Sequence, residues 1–291
     1  MKVHHLFAAA VLAFAAPATA AEPAPLPDTS RLVVVGGSLL EIVYALGEEE
    51  KLVGRDSTGL YPPEASALPD VGYMRALSPE GVLSVNPSAL IVAEGSGPPE
   101  ALDVLTKGAL PYVTVPDNYS HEGILAKVRY VGVALGAEEK AERLAAELDR
   151  ELRAAEELTR SIPETNRKRV LFIISAADGR IRAAGSGTAA DGIIGLAGGI
   201  NPLQGMHGYQ TLTDEALLEA SPDLILTMNN GGPGGDLLDQ IQAHPILAQS
   251  PAIRDGKLVS IDASFLLGFG PRTPAAIREL ARTLYDDLPQ S

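Results

Sequence analysis

AEEKAERLAAELDRELRAAEELTRS, residues Ala137–Ser161, decides how the chain is laid out. It holds no Gly or Pro, is dense in Ala, Leu, Glu and Arg, and sets Leu144, Leu148 and Leu152 at spacings of four, so it reads as one long amphipathic helix. At ~1.5 Å rise per residue it would span roughly 37 Å, about the width of a domain. Pro163 ends it. Upstream, Arg31–Ser38 reads as a buried strand running into a turn, and Leu39–Leu46 as the helix after it. Helices are predicted over Pro79–Val85 and Pro99–Lys107, with strands over Ala89–Ala93 and Tyr112–Val115. Downstream, Arg169–Ser175 opens a second α/β block, with strands near Leu224–Met228 and Leu258–Ile261 and a closing helix over Pro274–Asp287.

The two blocks repeat one another. Leu77-Ser-Pro-Glu-Gly-Val-Leu-Ser-Val-Asn-Pro-Ser-Ala-Leu-Ile91 matches Leu212-Thr-Asp-Glu-Ala-Leu-Leu-Glu-Ala-Ser-Pro-Asp-Leu-Ile-Leu226 at the Leu, Ser/Thr, Glu, Leu and Pro positions, and a Gly-Tyr pair precedes each copy: Gly72-Tyr73 and Gly208-Tyr209. Each copy predicts a tyrosine loop, a helix N-capped by Ser78 or Thr213, then a strand. The expected fold is α/β: two similar lobes, residues 30–136 and 167–291, joined by one long rigid helix at 137–162. A ligand would lie in the cleft between them.

The 291 residues carry a formal charge of −14, which excludes a basic nucleic-acid-binding surface. There is no Cys and no Trp, hence no disulfide framework, no thiolate-held metal and no cysteine nucleophile. At the N-terminus, Lys2 and two histidines precede an apolar run from Leu6 to Ala16, followed by small residues at Ala18 and Ala20. This predicts a cleaved signal peptide over residues 1–20, because the apolar run is too short to span a bilayer. Without a cysteine for lipidation, the expected product is a free, unanchored monomer in the periplasm. It retains three histidines, His121, His207 and His244.

Four strings carry a family resemblance: VGYMRALSPEGVLSVNPSALIVAEGSGPP from Val71, SLLEIVYALGEEEKLVGRDSTGLYPPEA from Ser38, AAGSGTAADGIIGLAGGINPLQGMHGYQTLTDEALLEASPDLIL from Ala183, and LLGFGPRTPAAIREL from Leu266. They resemble the periplasmic haem-binding proteins of bacterial ABC importers, within the helix-bridged group that also serves cobalamin and ferric siderophores. Gly-Tyr-x-Arg-x-Leu is the specific motif, and the likeness covers nearly the whole mature chain. It implies that Tyr73 is the axial ligand of ferric haem, that Arg75 is its partner, and that haem is cargo rather than a catalytic cofactor.

Elementary chemistry agrees with that implication. Ferric iron is hard and takes an anionic oxygen, and a phenolate is a known axial haem ligand. A free phenol ionises only near pH ~10, so ligation needs the metal and is helped by a nearby guanidinium. In an extended segment, residues i and i+2 share a side, which would set Arg75 beside Tyr73. The simpler reading of an isolated tyrosine is a packed loop residue bonded to a carbonyl; the Gly-Tyr-x-Arg context and the repeat favour the ligand.

From the second lobe, His207 and Tyr209 are candidates for the opposite haem face, although a lone histidine is more often an ordinary loop residue. Arg272 could fork onto a haem propionate or form a surface salt bridge. The turn Gly185–Thr188 could offer N–H groups to a propionate, or simply cap its helix. Glu80 and Glu215 occupy matching places in the first turn of their helices, where the dipole favours a carboxylate. The resemblance implies in addition that they dock onto arginines of a two-fold permease dimer in the inner membrane.

Other classes fit less well. Val33–Ser38 lacks Gly-x-Gly-x-x-Gly, no P-loop or Gly-x-Ser-x-Gly appears, and three scattered histidines do not suit zinc or manganese capture. A ferric siderophore or cobalamin binder shares the architecture and stays open as an alternative. An exported haem-modifying enzyme is the alternative from another class.

Overall fold

The computed structural model describes residues 23–229 and 235–289; the expected signal peptide lies outside them. In the first half, β1 (Leu32–Val35), α1 (Gly37–Ala45), β2 (Leu52–Arg55), α2 (Pro79–Leu83), β3 (Ala89–Ala93), α3 (Pro99–Lys107) and β4 (Tyr112–Val115) alternate. The strands form an all-parallel sheet in the order β2-β1-β3-β4. Both of its faces are covered, which is why the strands read as unbroken apolar runs. Leu32, Val34 and Ile91 face one core, and Val33, Val35, Leu90 and Val92 the other.

Two helices, α4 (His121–Leu135) and α5 (Glu138–Arg160), lead out of this half. The second half contains β5 (Val170–Ser175), β6 (Arg182–Ala184), α6 (Ala189–Leu196), β7 (Tyr209–Thr211), α7 (Asp214–Ala220) and β8 (Leu224–Asn229). After these come α8 (Gly235–Ala243), α9 (Pro251–Arg254), β9 (Leu258–Asp262), α10 (Ala263–Leu267) and α11 (Thr273–Leu284). Its sheet runs β7-β6-β5-β8-β9, parallel through β5, β8 and β9, with β6 and β7 added antiparallel. The architecture is the two-lobed α/β arrangement expected from the sequence.

The bridging helix is built as its composition predicts. Its buried positions, Ala141, Ala145, Leu148, Leu152, Ala155 and Thr159, recur every three or four residues and so form one stripe; Leu144 lies partly buried at the edge. The stripe packs against α4 and α11. A single core thereby runs from Leu32 and Ile91, through Ile124 and Val128 of α4, to Phe172, Ile193, Ile277 and Leu280 of the second half.

The sequence pattern does not announce α4. HEGILAKVRYVGVAL mixes two glycines with Ile124, Val128, Val131 and Val133, a weak helix former by propensity. Packing overrides propensity here, since much of the helix, including Gly123 and Gly132, is buried. His121 at its first turn fastens it to α5, with its two ring nitrogens 2.8 Å from carboxylate oxygens of Asp149 and Glu156.

The repeated segments adopt one local structure. Ser78 and Thr213 cap α2 and α7, accepting the N–H of Gly81 and of Ala216. Val82 and Leu217 are buried, and left-handed residues follow at Asn86 and Ser221. An arginine just before the first strand of each lobe then clamps the helix exit. Arg31 donates to the carbonyls of Val85 and Asn86 at 2.6 and 2.7 Å, and Arg169 to those of Glu219 and Ala220 at 3.1 and 2.9 Å. Each places a cation where a helix leaves its carbonyls unpaired and its dipole negative.

Replacing the fully buried Leu152 by Ala is expected to lower the unfolding free energy by about 2–5 kcal/mol. Chemical denaturation should still show one cooperative transition, because both lobes share the core that the residue fills.

Candidate ligand-binding cleft

Loops at the carboxyl ends of the parallel strands, where α/β sheets place their ligands, meet between the lobes. Tyr73 lies on such a loop, 44% exposed, and the Arg75 Nη1 donates to its hydroxyl at 3.4 Å. The pair expected from spacing is therefore present, but the backbone differs from the expected extended one. The Ala76 N–H bonds the Tyr73 carbonyl at 2.8 Å, so Tyr73–Ala76 is a turn, and the turn brings the two side chains together.

Neighbouring loop segments hold the loop in place. Asp70 accepts the Gly72 N–H, the Gly72 carbonyl accepts the Ser57 N–H, and the Met74 carbonyl accepts the Gly97 N–H. Gly72 has φ +109, a conformation closed to ordinary L-residues, which explains the glycine before the tyrosine. Buried Asp56 anchors the preceding segment through the N–H groups of Gly36 and Thr58 and the Thr58 hydroxyl. Burial pushes its carboxyl up, and these donors oppose that.

Tyr209, at the start of β7, packs edge-on to Phe172 with ring centroids 6.5 Å apart. Its phenol is pushed up by burial, against the positive charges of Arg75 and Arg182. Tyr119, which the sequence reading did not single out, behaves similarly: burial and the Asp117 carboxylate raise it, while Arg75 lowers it. Arg75 thus acts on tyrosines of both lobes. Of the histidines, His121 is fixed to α5 and His244 lies 3.3 Å from the Gly179 carbonyl. His207 is exposed beside the Ser186–Gly187 turn, which its backbone pairs.

Direct contacts between the lobes underlie the tyrosines. The Tyr119 ring meets Phe269 at 5.1 Å, and its carbonyl lies so close to α6 that a Cβ at Gly192 would be 2.4 Å from it. Arg272 forks onto Glu41 of α1 through Nε and Nη2 at 2.9 and 2.5 Å, bonds the Ser264 hydroxyl, and lies 4.0 Å over the Tyr61 ring. Burial pushes the Glu41 carboxyl up, and Arg272 works against that. The structure gives Arg272 a salt bridge that is largely buried rather than at the surface, and it joins the lobes. Glu41 itself gave no signal in the sequence, because an acid inside an apolar helix reads as a solvent-facing position.

The Gly185–Thr188 turn is a capping turn. Thr188 accepts the Asp191 N–H, and the N–H groups of Gly185, Ser186 and Gly187 are bonded to Gly208, Met206 and Asp191. They are not free for an anion. Glu80 and Glu215 are exposed in the first turns of α2 and α7, and bonds from its own N–H and from Thr213 lower the Glu215 carboxyl.

Residues 32–265 match the family model described as periplasmic binding protein. The chain belongs to the periplasmic binding protein family. Among solved members of similar form, the apo periplasmic haem-binding protein RhuT from Roseiflexus sp. RS-1 is 38% identical, with TM-score 0.83 over 88% of this chain and 98% of that one. The periplasmic haem-binding protein BhuT, solved with two haems, is 37% identical, with TM-score 0.80 over the same shares. Among curated relatives, the ABC transporter substrate-binding lipoprotein YvrC of Bacillus subtilis is 26% identical over 262 residues, 89% of this chain and 81% of its own. Members of this kind are substrate-binding transport proteins.

Replacing Arg272 by Ala strands a buried carboxylate and is expected to cost about 3–5 kcal/mol of stability in denaturant unfolding. The double variant Glu41→Gln/Arg272→Met should recover most of that loss.

Proposed function

We propose that this chain is a periplasmic carrier that binds ferric haem between its lobes and delivers it unchanged to an ABC permease in the inner membrane. The observation that carries the reading is the Tyr73–Arg75 pair. An exposed phenol is held on a braced loop, with a guanidinium at its oxygen whose charge also reaches the second lobe's Tyr209. Tyr73 ligates the iron, and Arg75 stabilises the phenolate that ligation requires. Burial works against a phenolate at Tyr209 and Tyr119, which suits them to walling the cleft. Arg272 supports the site by fastening the lobes beneath it.

Among the described histidines His207 is the exposed one, its ring beside Gly187, and BhuT has been solved holding two haems. We assign His207 to a second haem, held from the second lobe. Processing after Ala20 releases the carrier as an unanchored monomer, and Glu80 and Glu215 dock it on cationic side chains of the permease. The braced loops and the lobe contacts favour small tilts over wide closure, so solution scattering should change little when haem is added.

Haemin titration of the processed protein, alongside a ferric siderophore and cobalamin, tests the reading. Haemin is expected to bind with a ferric tyrosinate-type absorption spectrum. Tyr73→Phe and Tyr73→Ala should weaken binding at least about tenfold, ~1.4 kcal/mol, and abolish that spectrum. Unchanged affinity and spectrum in both variants would remove Tyr73 from the iron, and preference for either other ligand would change the cargo. His207→Ala should abolish a second binding step and leave the first. Conversion of haem to a bile pigment in the presence of a reductant would instead make the protein an enzyme.

A further inference from the structure

The docking helices carry more than their glutamates. Leu83 of α2 and Leu218 of α7 are 51% and 59% exposed, both among the large apolar side chains that the protein leaves in solvent. They occupy the same place in the repeat, one turn after Glu80 and Glu215, and at i+3 each leucine shares a helix face with its glutamate. The apolar demand of each helix is already met next door, since Val82 and Leu217 are buried beneath it. Single exposed apolar residues are common. A leucine exposed twice, at equivalent positions, on helices with the same cap, the same left-handed exit and the same arginine clamp is a repeated surface feature.

We infer that Leu83 and Leu218 are the apolar anchors of the docking surface, each seated in a hydrophobic recess of the permease beside the cationic side chain that takes the neighbouring glutamate. This rests on the docking role proposed above. Two copies of one acidic and apolar knob fit a partner with two-fold symmetry. Burying an apolar side chain next to a charge pair also excludes water from that pair, as the centre of a protein interface requires. The Arg31 and Arg169 clamps hold the knobs in shape before contact, which lowers the ordering cost of association.

The test measures binding of the haem-loaded protein to the haem permease of its own cell, reconstituted in nanodiscs, and the ATPase stimulation that follows. Leu83→Ser and Leu218→Ser should each weaken binding about fivefold, and the double variant more. Leu83→Met and Leu218→Met should bind normally, and haem titrations and melting temperatures should be unaltered in all of these variants. If Glu80→Ala/Glu215→Ala abolishes binding while Leu83→Ser/Leu218→Ser binds like the unaltered protein, the anchor role is overturned and the docking role stands. If the unaltered haem-loaded protein does not bind the permease, the docking reading falls and the anchors fall with it.

Discussion

One stripe of buried side chains on α5 holds the molecule together. Ala141, Ala145, Leu148, Leu152, Ala155 and Thr159 are the surface on which α4 and α11 pack, so one core runs through both lobes, beside a separate cluster on the other face of each sheet. The small residues allow close approach, and the leucines supply the apolar area. The distance and angle between the sheets follow from this packing. A lobe that tilted freely would have to tear the stripe. The interlobe contacts near the cleft, Glu41 with Arg272 and Tyr119 against Gly192, add polar and steric restraints to a geometry the stripe already sets.

The cleft inherits its order from the same frame. Tyr73 is the exposed end of a braced segment whose hydrogen bonds run to Ser57, Asp70 and Gly97. Arg75 does two things from one position: it bonds the Tyr73 hydroxyl, and its charge reaches tyrosines of both lobes. Such a site is preformed, so ligand binding need not order a loop.

What could be read from the sequence was what local chemistry determines. The bridging helix, the apolar strands, the caps at Ser78 and Thr213 and the pairing of Tyr73 with Arg75 all follow from short-range patterns, although a turn rather than an extended strand makes that last contact. What could not be read depends on partners remote in sequence. Helix α4 has poor intrinsic propensity and forms because α5 covers it. Glu41 is buried only because Arg272, from the far end of the chain, arrives beside it. Tyr119 is one tyrosine among eight until α6 packs against its backbone. The Gly185–Thr188 turn can be read as an anion site or a cap until its N–H groups are seen bonded to Gly208, Met206 and Asp191.

The layout of the repeated segment has a mechanical consequence. In each lobe the chain passes from the tyrosine to the glutamate helix within a few residues: Tyr73, on a loop, to Glu80 through one turn and a cap, and Tyr209, in β7, to Glu215 through the rest of that strand and a cap. The far end of each helix is bolted to the sheet by its arginine. These are short tethers with almost no slack. The segment that carries Tyr73 or Tyr209 and the helix that carries Glu80 or Glu215 are thus braced as one unit in each lobe, so neither can be displaced without the other.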